Sequence, residues 1–183
     1  REGRWVSDQT WPSRDVTMQS WSLGAGALSP SAQAPADLTI CSPQTVGLGC
    51  GEWMAAGCPG EMPTDQRIDD AGSLVFDSAP LTQALDLLGF PVLDLEFSVD
   101  RPVAQLCARL SDLFPDGAAQ RASYGVFNLN HLAGHDKPQL LQPGKRYRAR
   151  ITLNALGHHF AAGHRLRLAI STAYWPLIWP TPE

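Results

Sequence analysis

Charged residues are scarce in this 183-residue chain, in which Asp, Glu, Lys and Arg together make up 17% of the sequence. The formal net charge is −4 and no run of Lys or Arg occurs. This excludes a nucleic-acid-binding surface, because phosphate backbones require clustered basic residues. No apolar run approaches the roughly 18 residues of a membrane-spanning helix, so no membrane partner is expected either.

Cysteine is scarce too, and the residues concerned are Cys41, Cys50, Cys58 and Cys107. Four are too few for a disulfide framework, and none of them shows the C-x-x-C spacing of a zinc site. A Cys50–Cys58 disulfide stays open on the sequence alone. A structural calcium ion also stays open, although no D-x-[DN]-x-[DN]-G array is present. No cofactor is assigned.

No catalytic centre can be assembled from the sequence. The nucleophile of α/β-type hydrolases lies in a G-x-S-x-G elbow between a strand and a helix, and no Gly in this chain is followed two residues later by Ser. We assign no catalytic residue. The chain alone is expected to hydrolyse neither p-nitrophenyl esters nor X-Pro dipeptide substrates.

The five histidines predict no metal site. His131 and His135 have the spacing that aligns two ligands on a helix, but the segment around them is typical of a strand end and a loop. His164 stands at the start of a strand, where hydrogen bonding to loop backbone is expected. Arg165 beside it should pair with Asp112 or Asp116, because an Arg next to an apolar run needs a partner.

Alternation of apolar and polar residues is the strongest signal that the sequence does contain. The alternating segments are Pro91–Asp100, Arg146–Leu153 and Arg165–Thr172, with weaker ones in Val16–Leu23, Ser73–Asp77, Val103–Leu113 and Arg121–Asn130. They predict two packed antiparallel sheets, whose inward residues are Leu93, Leu95, Phe97, Ile151, Leu153, Leu166, Leu168 and Ile170.

The predicted architecture is an all-β sandwich or barrel of seven or eight strands that forms a single domain over residues 1–183. The 16 Gly and 15 Pro support many turns and long irregular loops. At most one short helix is expected. It is placed in Pro80–Leu88, where Leu81, Leu85 and Leu88 have helical spacing.

Residues 24–72 lack this alternation and are rich in Gly, Pro, Ser and Ala. An irregular stretch of that length is usually functional or packed on a neighbour. Within it Trp53 is flanked by Glu52 and Met54, a group suited to contacting a ligand or a partner. Packing beneath the loop is the alternative.

Acidic residues in the same stretch form no catalytic pair. Asp65, Asp69 and Asp70 lie close in sequence to Arg67. Short side chains of this kind usually cap local backbone or form ion pairs, so those are the roles that we expect for them.

Six short segments stand in a specific order along the chain: Pro63–Arg67 (P-T-D-Q-R), Ser73–Leu81, Ser98–Asp100, Arg109–Gly117, Leu141–Gly144 and Phe160–Leu168. Their order and spacing resemble the C-terminal, non-catalytic domain of cocaine-esterase-like and X-prolyl dipeptidyl-peptidase-like serine hydrolases, the acyl esterases. The resemblance runs over nearly the whole chain.

The resemblance implies a jelly-roll β-sandwich of the galactose-binding-like type. Such a domain packs on an α/β-hydrolase catalytic domain of the same parent chain, which carries a Ser-His-Asp triad. The loop before P-T-D-Q-R, here Gly47–Cys58, is expected to form a lip over the active site, with Trp53 foremost and Met54 and Glu52 beside it. The expected structural residues are Asp65, Gln66, Arg67, His164 and Arg165.

The resemblance also implies that the chain is a fragment of a larger hydrolase, with a homodimer through the parent enzyme as a further expectation. A bacterial cytoplasm is favoured over secretion. The substrate, an ester, an X-Pro peptide or a β-lactam, stays open. The alternative function is a free-standing carbohydrate-binding module, which would need two or three coplanar exposed Trp or Tyr side chains.

Overall fold

The computed structural model describes residues 3–181 of the chain. Its strands are β1 Ser22–Leu23, β2 Leu28–Ser29, β3 Leu74–Asp77, β4 Leu85–Gly89, β5 Val92–Phe97, β6 Gln105–Leu113, β7 Ala119–Asn128, β8 Tyr147–Thr152, β9 Leu156–Phe160 and β10 Arg165–Ser171. The helices described are α1, Arg67–Asp70, and one 3₁₀ turn, Leu129–His131. The predicted all-β class is confirmed. The jelly-roll and galactose-binding-like designations stay predictions.

The largest sheet has four antiparallel strands in the order β3-β10-β6-β7. Its central strand β6 is buried on both faces. Leu106, Ala108 and Leu110 face the main core, whereas Arg109 and Ser111 face the opposite side and are also fully buried. A charged group on a buried face requires partners, and the irregular stretch before β3 supplies Asp70 and Ser73 as partners of Arg109.

The second layer is a long, bent two-stranded ribbon. Strand β4 pairs with β9 and strand β5 pairs with β8, both antiparallel. Gly89 is paired with Leu156, and Val92 is paired with Thr152. Between these two pairs the chain advances by three residues from Gly89 to Val92 and by four residues from Thr152 to Leu156. The one extra residue on the second strand bends the ribbon beside Pro91.

The main core lies between the ribbon and the large sheet. Every residue predicted to face inward belongs to it: Leu93, Ile151, Leu153, Leu166, Leu168 and Ile170 are buried, and Leu95 and Phe97 are partly buried against them. The charged residues between them lie on the outer face of the ribbon, where Arg150 bonds Asp94 and Arg146 bonds Glu96. That part of the prediction is confirmed.

Two local predictions were wrong. Residues 80–88 form no helix, because Leu85 and Leu87 face the core as alternate residues of β4, paired with β9. Strand pairing has overridden the helical spacing of the leucines. The segment Val16–Leu23 is a strand only at Ser22–Leu23, and Met18 is 94% exposed.

The part of the chain that the structure describes contains no helix that is long and apolar enough to cross a membrane. All four cysteines are free. Cys50 is buried and Cys58 is exposed, so no Cys50–Cys58 disulfide is formed in this structure.

Candidate functional site

The loop that precedes P-T-D-Q-R presents its largest side chains to solvent. Trp53 is 66% exposed and Met54 is 84% exposed, and Glu52 beside them is exposed as well. Exposed Trp and Met together are typical of surfaces that contact a ligand or a partner. Residues 51–62, which carry these side chains, are here named the finger.

Two backbone hydrogen bonds close the stem of the finger. The amide of Thr64 donates to the Gly49 carbonyl at 3.0 Å, and the amide of Glu52 donates to the Glu61 carbonyl at 2.8 Å. Gly51 lies between these bonds with φ +73°, and a Cβ there would collide with the backbone of residues 61–63. Only glycine fits this position, because it combines positive φ with a close backbone approach.

The Glu61 side chain organises the far part of the finger. One carboxylate oxygen accepts from the amides of Ala56, Gly57 and Cys58 at 2.7, 3.0 and 3.0 Å. Hydrogen bonds to an ionised carboxylate favour the charged form. The amides of Cys58 and Ala56 therefore hold the pKa of Glu61 below its ordinary value of 4.5.

This arrangement predicts that the finger loosens in acid. A carboxylate with a lowered pKa stabilises the folded finger above its unfolded pKa, and that stabilisation is lost as pH falls through the lower, folded pKa. In NMR spectra, the amide resonances of Ala56, Gly57 and Cys58 should move together below pH 4.5 with one midpoint, and Glu61→Gln should abolish the shared titration. A midpoint at or above 4.5 would contradict the assignment.

Buried polar side chains fasten the stem to the domain. The carboxylate of Asp69, in α1, accepts from the amides of Gly47 at 2.7 Å and Gly49 at 3.0 Å. The Gln66 amide donates to the carbonyls of Gly49 at 2.6 Å and Thr64 at 2.9 Å. Asp69 and Gln66 are both fully buried, so these bonds are shielded from water.

Beneath them, Asp70 joins the loop to the large sheet. Its two oxygens accept from Arg109 of β6 at 3.0 Å and from Arg167 of β10 at 3.1 Å. Arg167 also forms a two-pronged pair with Asp77 of β3, at 2.7 Å for both bonds. The ion pairing expected for Asp70 is therefore present, but its partners lie on distant strands. Arg67 pairs locally with Asp65 at the surface.

His164 and Arg165 make other contacts than the sequence predicted. His164 Nδ1 bonds the buried Asp112 carboxylate at 2.7 Å, and His158 Nε2 bonds the same carboxylate at 3.1 Å. The expected bond from His164 to loop backbone was therefore wrong. So was the expected pairing of Arg165 with Asp112 or Asp116, since Arg165 donates to the Ser78 carbonyl at 2.8 Å. The Asp112 carboxylate, which faces the core side of the sheet, instead bonds the imidazoles of His158 and His164.

Sequence reasoning missed a second exposed apolar group, at the end of the chain. Trp175 and Trp179 are 41% and 75% exposed, and their rings meet edge to face with centroids 5.0 Å apart. With Gln44 and Pro180 they line a depression of about 350 Å³. The amide of Trp175 donates to the Val46 carbonyl, so this group adjoins the base of the finger. The missed signal is the W-P-L-I-W-P run, which lacks strand alternation.

Among residues 3–181, no group of three or more His, Cys, Asp or Glu side chains has a geometry that could hold a metal ion. His131 and His135 do meet, with 2.8 Å between their Nδ1 atoms. They lie at the 3₁₀ turn after β7 and at the loop behind it.

The fold and the finger together define an all-β domain that presents an apolar surface. The whole chain, residues 1–183, matches the X-Pro dipeptidyl-peptidase C-terminal non-catalytic domain. The chain belongs to that family.

Relatives extend the same picture. The cocaine esterase of Rhodococcus sp. (strain MB1 Bresler) is 25% identical over 94% of this chain and 32% of its own length. An aminopeptidase from a marine sediment Thaumarchaeota archaeon has a TM-score of 0.63 at 27% identity, over 70% of this chain and 23% of that one. An α-amino acid ester hydrolase has the same fold, with a TM-score of 0.76 at 20% identity over 98% of this chain and 32% of its own. The chain thus spans about a third of the length of the curated relative.

Proposed function

We propose that this chain is one domain of a longer serine hydrolase, and that it packs on an α/β-hydrolase catalytic domain and encloses part of its substrate pocket. The observation that carries the proposal is the finger, in which Trp53 is exposed on a stem held by buried hydrogen bonds. An exposed Trp on a fixed support suits a pocket wall, because the stem that carries it has little backbone freedom to lose on binding.

The distribution of charge supports a docking face on the finger side. The outer face of the ribbon carries exposed ion pairs between Asp94 and Arg150 and between Glu96 and Arg146. The ribbon also exposes Leu88, Phe90 and Val92, whereas the finger side exposes Leu48 together with the Trp and Met side chains Trp53, Met54, Met62, Trp175 and Trp179. Interface centres are depleted of charge and enriched in Trp and Met, and this supports docking of the catalytic domain on the finger side.

A wall of this kind acts on binding and leaves the chemistry to the catalytic domain. Trp53→Ala in the complete hydrolase should raise KM for bulky acyl substrates, with a penalty of about 1–3 kcal/mol, and should leave kcat nearly unchanged. Trp53→Phe, which keeps an aromatic ring, should restore most of the affinity. The measurement is steady-state kinetics over a series of acyl groups of increasing size.

Equal kcat/KM for Trp53→Ala and wild type across the whole series would leave Trp53 with no contact to substrate. A penalty of the same size for small and bulky acyl groups would also speak against a pocket wall.

The geometry of the paired Trp175 and Trp179 rings does not support the alternative function, a carbohydrate-binding module. Such a module stacks sugars on coplanar aromatic rings, whereas the rings of Trp175 and Trp179 are inclined by 79°. Retention of the chain on a polysaccharide affinity gel would favour that alternative over docking on a hydrolase.

A further inference from the structure

Both the nitrogen and the oxygen of the Gln66 side-chain amide form hydrogen bonds at the base of the finger. Its Nε2 carries two hydrogens, one for the Gly49 carbonyl and one for the Thr64 carbonyl. Its Oε1 accepts from the Tyr174 hydroxyl at 2.7 Å. The orientation of this amide is therefore fixed by the group that meets its oxygen.

The Tyr174 hydroxyl is itself fixed in one direction. Arg121 donates to the hydroxyl oxygen at 2.7 Å and its guanidinium stacks on the neighbouring Tyr124 ring at 4.4 Å. Since Arg only donates, the hydroxyl must turn its hydrogen to Gln66. Burial raises the pKa of Tyr174, so the hydroxyl keeps that hydrogen near neutral pH.

We propose that Tyr174 is a positioning residue for the finger: oriented by Arg121, it sets the Gln66 amide, which holds the stem at Gly49. Gly49 is then gripped on both sides, by Asp69 at its amide and by Gln66 at its carbonyl. The finger starts two residues later and its stem is closed by backbone hydrogen bonds, so a displacement of the Gly49 backbone also displaces Trp53. Tyr174 also precedes Trp175, so one residue ties both exposed apolar groups together. The inference rests on the proposed function only where substrate is concerned.

The first test uses this chain alone. Tyr174→Phe removes the hydroxyl and leaves the Gln66 oxygen buried without its donor, so exchange of the amides of Gly49, Glu52 and Thr64 should accelerate about tenfold. Amides of β6 report global unfolding in the same sample and should be accelerated less. The matched control is Tyr124→Phe, whose ring lies 6.2 Å from that of Tyr174 and whose hydroxyl makes none of the stem bonds.

Arg121→Met provides a second variant that keeps the buried phenol. It releases the hydroxyl from its fixed direction and should accelerate the same amides, by less than Tyr174→Phe does. Wild-type exchange at Gly49, Glu52 and Thr64 in both variants would overturn the proposal. So would acceleration that is the same at the stem and in β6.

The second test uses the complete hydrolase. Tyr174→Phe should raise KM for bulky acyl substrates about threefold to tenfold at unchanged kcat, in the direction of Trp53→Ala. If Trp53→Ala raises KM and Tyr174→Phe does not, the positioning role is wrong and the proposed function stands. If the stem amides accelerate but neither variant changes KM, the pocket wall fails and the positioning of the finger stands.

Discussion

Asp70→Ala should lower the free energy of unfolding of the chain by about 3–5 kcal/mol, the cost of removing one partner from a buried ion pair. Asp70 is almost fully buried between Arg109 and Arg167, and the Arg109 side chain is completely buried. Arg109 Nε already has no hydrogen-bond partner among the residues described. Without Asp70 the Arg109 charge would stay buried, with the hydroxyls of Ser73 and Ser171 as hydrogen-bond partners and the Tyr174 ring 4.8 Å from its guanidinium carbon.

The matched control is Asp94→Ala, which removes an ion pair of the same chemistry at the surface. Asp94 and its partner Arg150 are both substantially exposed, so the loss should be about 0–1 kcal/mol. Urea unfolding of the three proteins measures the difference. Equal destabilisation by the two substitutions would show that Asp70 does not hold the irregular stretch on the sheet.

Phe160→Ala should be similarly costly, by about 3–5 kcal/mol, because it opens a cavity in the main core. Phe160 is completely buried at the end of β9, where it pairs with Leu85 across the ribbon. Its ring meets that of His158 edge to face, with ring centroids 4.6 Å apart. The ribbon has only two strands, so a cavity here weakens its attachment to the large sheet directly.

Phe90→Ala is the control for size and residue type. Phe90 lies at the bend of the same ribbon and is 63% exposed, so its truncation should change stability by less than about 0.5 kcal/mol. Thermal unfolding followed by circular dichroism compares the two. A larger effect at Phe90 than at Phe160 would mean that the ribbon does not pack as described.

The fold was predictable where alternation was regular. Leu93, Ile151 and Leu168 were each placed on the correct face by a period of two, because one face of those strands meets the core and the other meets water. Strand β9 was not predicted, because one of its inward residues is the polar His158, which bonds the buried Asp112 and interrupts the apolar alternation of Leu-Gly-His-His-Phe. Strand β4 was not predicted, because the spacing of its leucines fits a helix as well as a strand.

The candidate site divides in the same way. Trp53 was visible as a Trp in a stretch without periodicity, and its neighbours followed from it. The polar contacts that fasten the finger could not be predicted, because Gln66 and Tyr174 are 108 positions apart and no local sequence pattern joins them. Arg109 was an available signal, because a charged residue in the middle of a strand that is buried on both faces requires a buried partner.

The most direct measurement is a structure of the proposed longer hydrolase, with the nucleophilic serine of its catalytic domain acylated by a covalent inhibitor that carries a bulky acyl group. We expect the finger to lie over the pocket, with the Trp53 ring within about 4 Å of the acyl group. A complex in which Trp53 faces solvent, or in which the charged face of the ribbon meets the catalytic domain, would contradict this expectation.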